Sequence, residues 1–187
     1  MSKTKNAVRF RKFAKQEKNN CRKAGIQKEL KKTLEKNTGL KSNVIKKALL
    51  CSSNFIGCYA ENEVNALCFG SLPCFLIVNL DSSNMKGSHW IAIGIFRDTI
   101  EIFDSLGFDI FNWPRIPNKL LTFLRKISIS KRVRISKRFQ SNDSSICGLY
   151  AIFYAKYRPF FTFSFLQNLF TSCLSSNDSF LIKLFKY

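Results

Sequence analysis

The chain has a single histidine, His89, and seven cysteines, so its capacity for proton transfer and nucleophilic attack near neutral pH rests on few groups. Cys147 has the most reactive setting among the cysteines. It follows the polar loop "QSNDSS" and opens a stretch, "CGLYAIFYAKY", that is apolar nearly all round and meets no breaker until Pro159. Residues 146–157 therefore read as a buried helix. A sulfur at the start of such a helix meets unsatisfied N–H groups and the positive end of the dipole, which favour thiolate over thiol. The nucleophile still needs a base, and His89 is the one imidazole in the chain. An imidazole base needs a partner that fixes its tautomer and stabilises the imidazolium, and Asp104 in "FDSLG" is the natural candidate. Gln140 precedes Cys147 by seven residues and carries an amide that, with the Cys147 N–H, can form an oxyanion hole.

Each residue also has an inert reading. A cysteine before an apolar helix is often buried and unreactive. A histidine at a strand start says little by itself, and aspartate before Ser and Gly often only shapes a turn. The reading rests on order, spacing and placement taken together.

The elements that must position these groups are legible in outline. "CFLIVNL" (74–80), "WIAIGIF" (90–96) and "TIEIFDSL" (99–106) are β-branched and aromatic, too short for helices, and bounded by Ser, Asn, Gly and Asp. The first two are continuously apolar, as central strands buried on both faces are. Only Arg97 and Asp98 separate the second from the third, which predicts a tight antiparallel hairpin. That turn sets Ile91 opposite Asp104 and leaves His89 diagonally adjacent, within side-chain reach. "KSNVIKKALLC" reads as a short helix, "SSNFIGCYAENEV" as irregular, 117–126 as a helix with Pro117 in its first turn, and 131–139 as a strand with one basic face. In the N-terminal segment, Ile26, Leu30 and Leu34 recur at helical spacing before Gly39. Residues 1–40 are taken as a basic, partly helical extension, and 41–187 as the folded domain, of α+β class.

Charge narrows the partners. The net charge is +19; residues 1–40 carry 13 Lys/Arg against 3 Glu, and 115–138 carry 9 with no acid. Two such blocks favour salt-sensitive, sequence-independent contact with nucleic acid, for which Arg125, Lys126, Lys131, Arg132, Arg134, Lys137 and Arg138 are the candidate residues. A basic tail serving only solubility or nuclear import is the plainer reading of the N-terminal block. No apolar run approaches the roughly 20 residues that span a bilayer, and no secretory signal is recognisable. The odd cysteine count without any C-x-x-C pair argues against a disulfide framework, and one histidine among scattered cysteines offers no zinc spacing. No metal or cofactor is expected, nor secretion.

The motifs together resemble those of the adenovirus endopeptidase family (adenain-like) and its relatives in large DNA viruses and Maverick/Polinton transposons, which share a clan with the Ulp-type proteases of SUMO-like modifiers. The resemblance lies in His89-Trp90 opening an apolar strand, "FDSLG", Gln140, "CGLY" at 147–150, the stretches "NFIGCY" and "CFLIVNLDSSNMKGSHW", and the terminal "NDSFLIKLFKY". It covers about residues 43–187. It implies a papain-like, adenain-like α+β fold with a central mixed sheet against a buried helix carrying the nucleophile. It also implies a cysteine endopeptidase in which Cys147 attacks, His89 relays the proton, Asp104 orients His89 and Gln140 supports the oxyanion. The implied substrates are capsid or core precursors cut at glycine-containing sites, in the host nucleus or virion, with DNA as a potential activator and a monomer as the default. Asp104 stands where the adenoviral enzymes have glutamate, whereas the SUMO-protease branch and the transposon relatives have aspartate there. Ile129 stands at the position of the cysteine that links the adenoviral activating peptide, so that covalent activation is not expected. The alternatives are a protease for SUMO-like modifiers and a non-catalytic, basic nucleic-acid-binding protein of the same fold.

Overall fold

Five short strands build one mixed sheet in the order β1-β2-β3-β4-β5. They are β1 Phe55–Ala60, β2 Cys74–Asn79, β3 Trp90–Ile95, β4 Thr99–Phe103 and β5 Arg132–Ile135. β2, β3 and β4 run antiparallel to their neighbours among themselves, whereas β1 joins β2 and β5 joins β4 in parallel. The molecule is a computed structural model that describes residues 3–20, 39–52 and 54–186. The helix expected around Ile26, Leu30 and Leu34 lies outside the described residues.

Helices cover both faces of the sheet, which is why β2 and β3 carry almost no polar side chains. On one face Phe75, Ile77, Ala92 and Phe103 meet the central helix α4, Cys147–Tyr157, in which every residue except Lys156 is buried. On the other, Leu76, Val78, Ile91, Ile93, Ile100 and Ile102 meet Leu120, Phe123 and Leu124 of α3, Asn118–Ile127. The α+β architecture expected from the sequence, a mixed sheet packed on a buried helix headed by Cys147, is the one observed. Helix α4 approaches β3 closely because Gly94 has no side chain. A Cβ there would lie 2.2 Å from the Tyr154 hydroxyl, which instead donates to Oε2 of the buried Glu101 at 2.8 Å.

Around α4 stand α1 (Lys3–Asn20), α2 (Ser42–Ala48), α5 (Phe163–Gln167) and α6 (Leu174–Lys186). Phe10 of α1 is fully buried, its ring 4.8 Å from that of Tyr157 and 5.6 Å from that of Phe153. Leu40, just before α2, accepts a hydrogen bond from Trp90 Nε1 at 2.8 Å and packs where a Cβ on Gly148 would sit, 2.9 Å away.

Three local differences from the sequence reading have physical causes. The stretch read as irregular forms β1, an edge strand whose register shifts between Phe55 and Gly57, where Gly57 takes φ +144°. That break, with polar neighbours, hides a strand pattern. β5 stops at Ile135; beyond it, the Phe139 and Gln140 N–H groups both donate to the Ser105 carbonyl, at 2.8 and 2.9 Å. Pro117 sits at the N-cap of α3 and not in its first turn.

Candidate active site

His89 immediately precedes β3 and Asp104 immediately follows β4, so the hairpin determines their relation. The two-residue turn at Arg97–Asp98 sets Ala92 opposite Phe103, and the same register carried one step on sets Ile91 opposite Asp104. His89 Nε2 lies 2.7 Å from Asp104 Oδ1, with the two residues 7% and 0% exposed.

Asp104 is held in place from several sides. It accepts the Leu106 N–H at Oδ1 (2.9 Å) and the Phe108 N–H at Oδ2 (3.2 Å). Its own backbone is clasped by Ser136, whose Oγ accepts the Asp104 N–H at 2.8 Å and donates to the Asp104 carbonyl at 2.7 Å. A carboxylate with this many donors holds one orientation, and it holds the imidazole in turn. The Phe108 ring stands edge-on to His89 at 6.2 Å and Trp113 stacks on Phe108 at 4.5 Å, which walls one side of the pair.

Cys147 is the first residue of α4, 6% exposed, and lies close enough to His89 to help raise its pKa. Because Nε2 faces Asp104, Nδ1 is the nitrogen left for the sulfur. Burial alone would push the His89 pKa down, but hydrogen bonds to Asp104 and Cys147 and their negative charge lift it to about 9. The imidazole is therefore charged at neutral pH beside the sulfur at the helix N-terminus.

Gln140 is 2% exposed. Its Oε1 accepts from Ser105 Oγ at 2.6 Å and its Nε2 donates to the Ser144 carbonyl at 2.6 Å. A primary amide has two N–H bonds, so one remains for a reacting oxygen. At the head of α4 the Leu149 and Tyr150 N–H groups donate to the Ile146 carbonyl, which leaves the Cys147 N–H as the candidate second donor. Sequence reasoning missed Ser105, Ser136 and Ser144. The available signal was weak: small hydroxyl residues next to Asp104 and Gln140 in segments otherwise read as turns.

The seven basic residues proposed for nucleic acid do not share one free surface. Arg125 and Lys126 are exposed at the end of α3, and Arg132 and Lys137 are exposed on and after β5. Arg134 instead donates to Ser164 Oγ at 2.8 Å, pairs with Glu101 at 3.4 Å and lies over the Phe163 ring. The Lys131 ammonium donates to the Phe96 and Arg97 carbonyls, and Arg138 to the Gln140 carbonyl and Asn142. Among the described residues, no group of three or more His, Cys, Asp and Glu could hold a metal ion, and no helix is long and apolar enough to cross a membrane.

Three other cysteines have shifted thiols. Burial, only partly offset by Lys46, pushes the Cys58 thiol up to about 12, and burial raises Cys74 as well. Cys173, on the surface, is lowered to about 7 by hydrogen bonds from Ser175 and Ser176.

Fold and site together describe an α+β protein with a cysteine at the first position of its central helix, beside a histidine–aspartate pair. Eight chains of known structure match it; among them is the ASFV pS273R protease, with a TM-score of 0.49 and 18% identity over 80% of this chain. The match takes in 66% of that protease, so the present chain spans just under two thirds of its length. No family model and no curated protein matches the sequence.

Proposed function

We propose that the protein is a cysteine endopeptidase with Cys147 as nucleophile, His89 as acid and base, Asp104 as the orienting carboxylate and Gln140 as an oxyanion donor. The observation that carries this reading is the 2.7 Å contact of the buried His89 with Asp104, with Cys147 at the head of α4 close enough to act on the same imidazole. In this reaction the Cys147 thiolate adds to the scissile carbonyl carbon and the carbonyl oxygen becomes an oxyanion facing Gln140 Nε2 and the Cys147 N–H. Collapse breaks the C–N bond as His89 gives its proton to the leaving amine, leaving a thioester. His89 then takes a proton from water, whose oxygen adds to the thioester and releases the acid and the thiolate.

The substrates proposed are structural precursors of a DNA virus or virus-like element, cut at glycine-containing sites in the host nucleus or virion by a monomer working on DNA. This finer reading is supported by the motif resemblance and by the basic blocks, with exposed Arg125, Lys126, Arg132 and Lys137 as the DNA contacts.

The test is limiting iodoacetamide at neutral pH, with and without DNA, followed by mass-spectrometric mapping of wild type and His89→Ala. Cys173 will label in both proteins, because its thiol is exposed and lowered to about 7. Cys147 is expected to label in the wild type and to slow at least about tenfold in His89→Ala, with DNA raising the wild-type rate. Equal Cys147 labelling in both proteins sinks the peptidase reading and leaves the nucleic-acid-binding one.

A further inference from the structure

The C-terminal helix α6 bears two adjacent buried polar residues, Asn177 and Asp178, 2% and 7% exposed, which the chemistry above does not use. Both point at the backbone flanking Gln140. Asp178 Oδ2 accepts the Ser141 N–H at 3.2 Å, while Asn177 Nδ2 donates to the Phe139 carbonyl at 3.1 Å. The residues before and after the glutamine are thus each fixed to one turn of α6.

A third group closes the arrangement. The Tyr150 hydroxyl, on the same helix as Cys147 and one turn further along, lies 2.8 Å from Asp178 Oδ1 and 3.0 Å from the Phe139 carbonyl. Burial and then the Asp178 hydrogen bond raise the Tyr150 pKa, so the hydroxyl stays a donor. Asn177 is itself tied back, accepting the Thr171 N–H at 2.8 Å and donating to its carbonyl at 3.0 Å. Each Asp178 carboxyl oxygen thus meets a donor, Ser141 N–H at one and the Tyr150 hydroxyl at the other, as a buried polar group requires.

We propose that Asp178 is a positioning residue for Gln140: with Asn177 and Tyr150 it clamps the backbone on both sides of the glutamine and so sets where the free amide N–H points relative to Cys147. The catalytic meaning of this clamp rests on the peptidase reading. It makes α6 a support of the oxyanion hole through the backbone it holds. Removing one oxyanion donor outright costs about 100-fold or more in kcat, and misaiming it costs a fraction of that.

The experiment is a double-mutant cycle on the full chain, with Asp178→Asn, Gln140→Ala and the pair, read by peptide cleavage, peptide-aldehyde affinity and iodoacetamide alkylation of Cys147. Asp178→Asn keeps the size but puts a donor or a weaker acceptor against Ser141 or Tyr150. The expected result is a kcat loss of about tenfold with KM nearly unchanged, a parallel loss of affinity for the aldehyde, which forms an oxyanion, and unchanged alkylation, which does not. In the Gln140→Ala background the Asp178→Asn loss should vanish. A loss that persists in full in that background, or that slows alkylation equally, overturns the proposal. If Asp178→Asn does not fold, Tyr150→Phe takes its place in the same cycle. The Gln140 side-chain amide NMR signal, assigned by its absence in Gln140→Ala, gives a readout independent of cleavage. If the wild type cleaves nothing, the peptidase reading fails, while an amide signal unmoved by Asp178→Asn separately overturns the clamp.

Discussion

At the scale of single residues, the His89–Asp104 pair governs how the site responds to pH. The His89 pKa, raised from 6.5 to about 9, means that the charged imidazole stabilises the folded state fully below about pH 6.5 and that this contribution is lost as pH climbs through 9. In the proposed reaction the same proton passes to the leaving amine, so kcat/KM is expected to fall on a basic limb near pH 9. In Asp104→Asn the largest favourable partner is gone while burial remains, and the limb should move to lower pH. A pH profile of peptide cleavage checks this; an unmoved limb would mean that the titrating group is not His89. The four proposed residues were legible as candidates because the chain offers one imidazole and because His89, Asp104 and Cys147 stand at element boundaries, whereas Gln140 lies in the loop between β5 and α4. The hydroxyls of Ser105, Ser136 and Ser144 were not, since a serine in a turn looks the same whether it faces water or holds a glutamine.

At the scale of elements, the hairpin and the buried helix were readable from continuous apolar runs and a two-residue turn. The edge strand β1 was not, because the bulge at Gly57 breaks the alternation that marks a strand. The contact of β3 with α4 depends on Gly94, and no periodicity reveals a glycine's opposite number. Gly94→Ala should displace Tyr154 from Glu101 and destabilise the protein by about 1–3 kcal/mol in urea unfolding, the usual range for overpacking. Combined with Tyr154→Phe, which removes the hydroxyl nearest the new Cβ, the additional cost of the alanine should shrink. Full additivity of the two substitutions would place the strain elsewhere. Arg134 shows the complementary limit: alternation along β5 located it on a basic face, yet buried Glu101 and the Phe163 ring engage it.

At the scale of the whole molecule, the lysine-rich N-terminus reads as an extension because its apolar residues are sparse. Sparse does not mean idle, since Phe10 inserts among Phe153, Tyr157, Phe161 and Phe180 around the far end of α4. A pattern method sees the missing stripe; it cannot see that a single ring fills a hole in a distant aromatic cluster. Phe10→Ala is expected to cost about 3 kcal/mol, as for a buried aromatic truncated in a core, and to lower the thermal midpoint by several degrees. A midpoint equal to wild type would show that α1 does not add to the stability of the domain. The charge itself, +19 over the chain, sets no fold; it governs association and its dependence on salt.

The turn at Arg97–Asp98 is anchored from outside the hairpin: the Asp98 carbonyl accepts the Arg132 N–H at 3.0 Å, and Lys131 caps the carbonyls of Phe96 and Arg97. None of those bonds uses the side chains of Arg97 or Asp98, so descendants of this sequence are free to rewrite both letters. They are not free to add or drop one. A length change there must either break the anchoring or slip one strand past the other, and the slip carries Asp104 away from His89. Lineages that keep the chemistry should therefore show drift in the spelling of this turn and silence in its length.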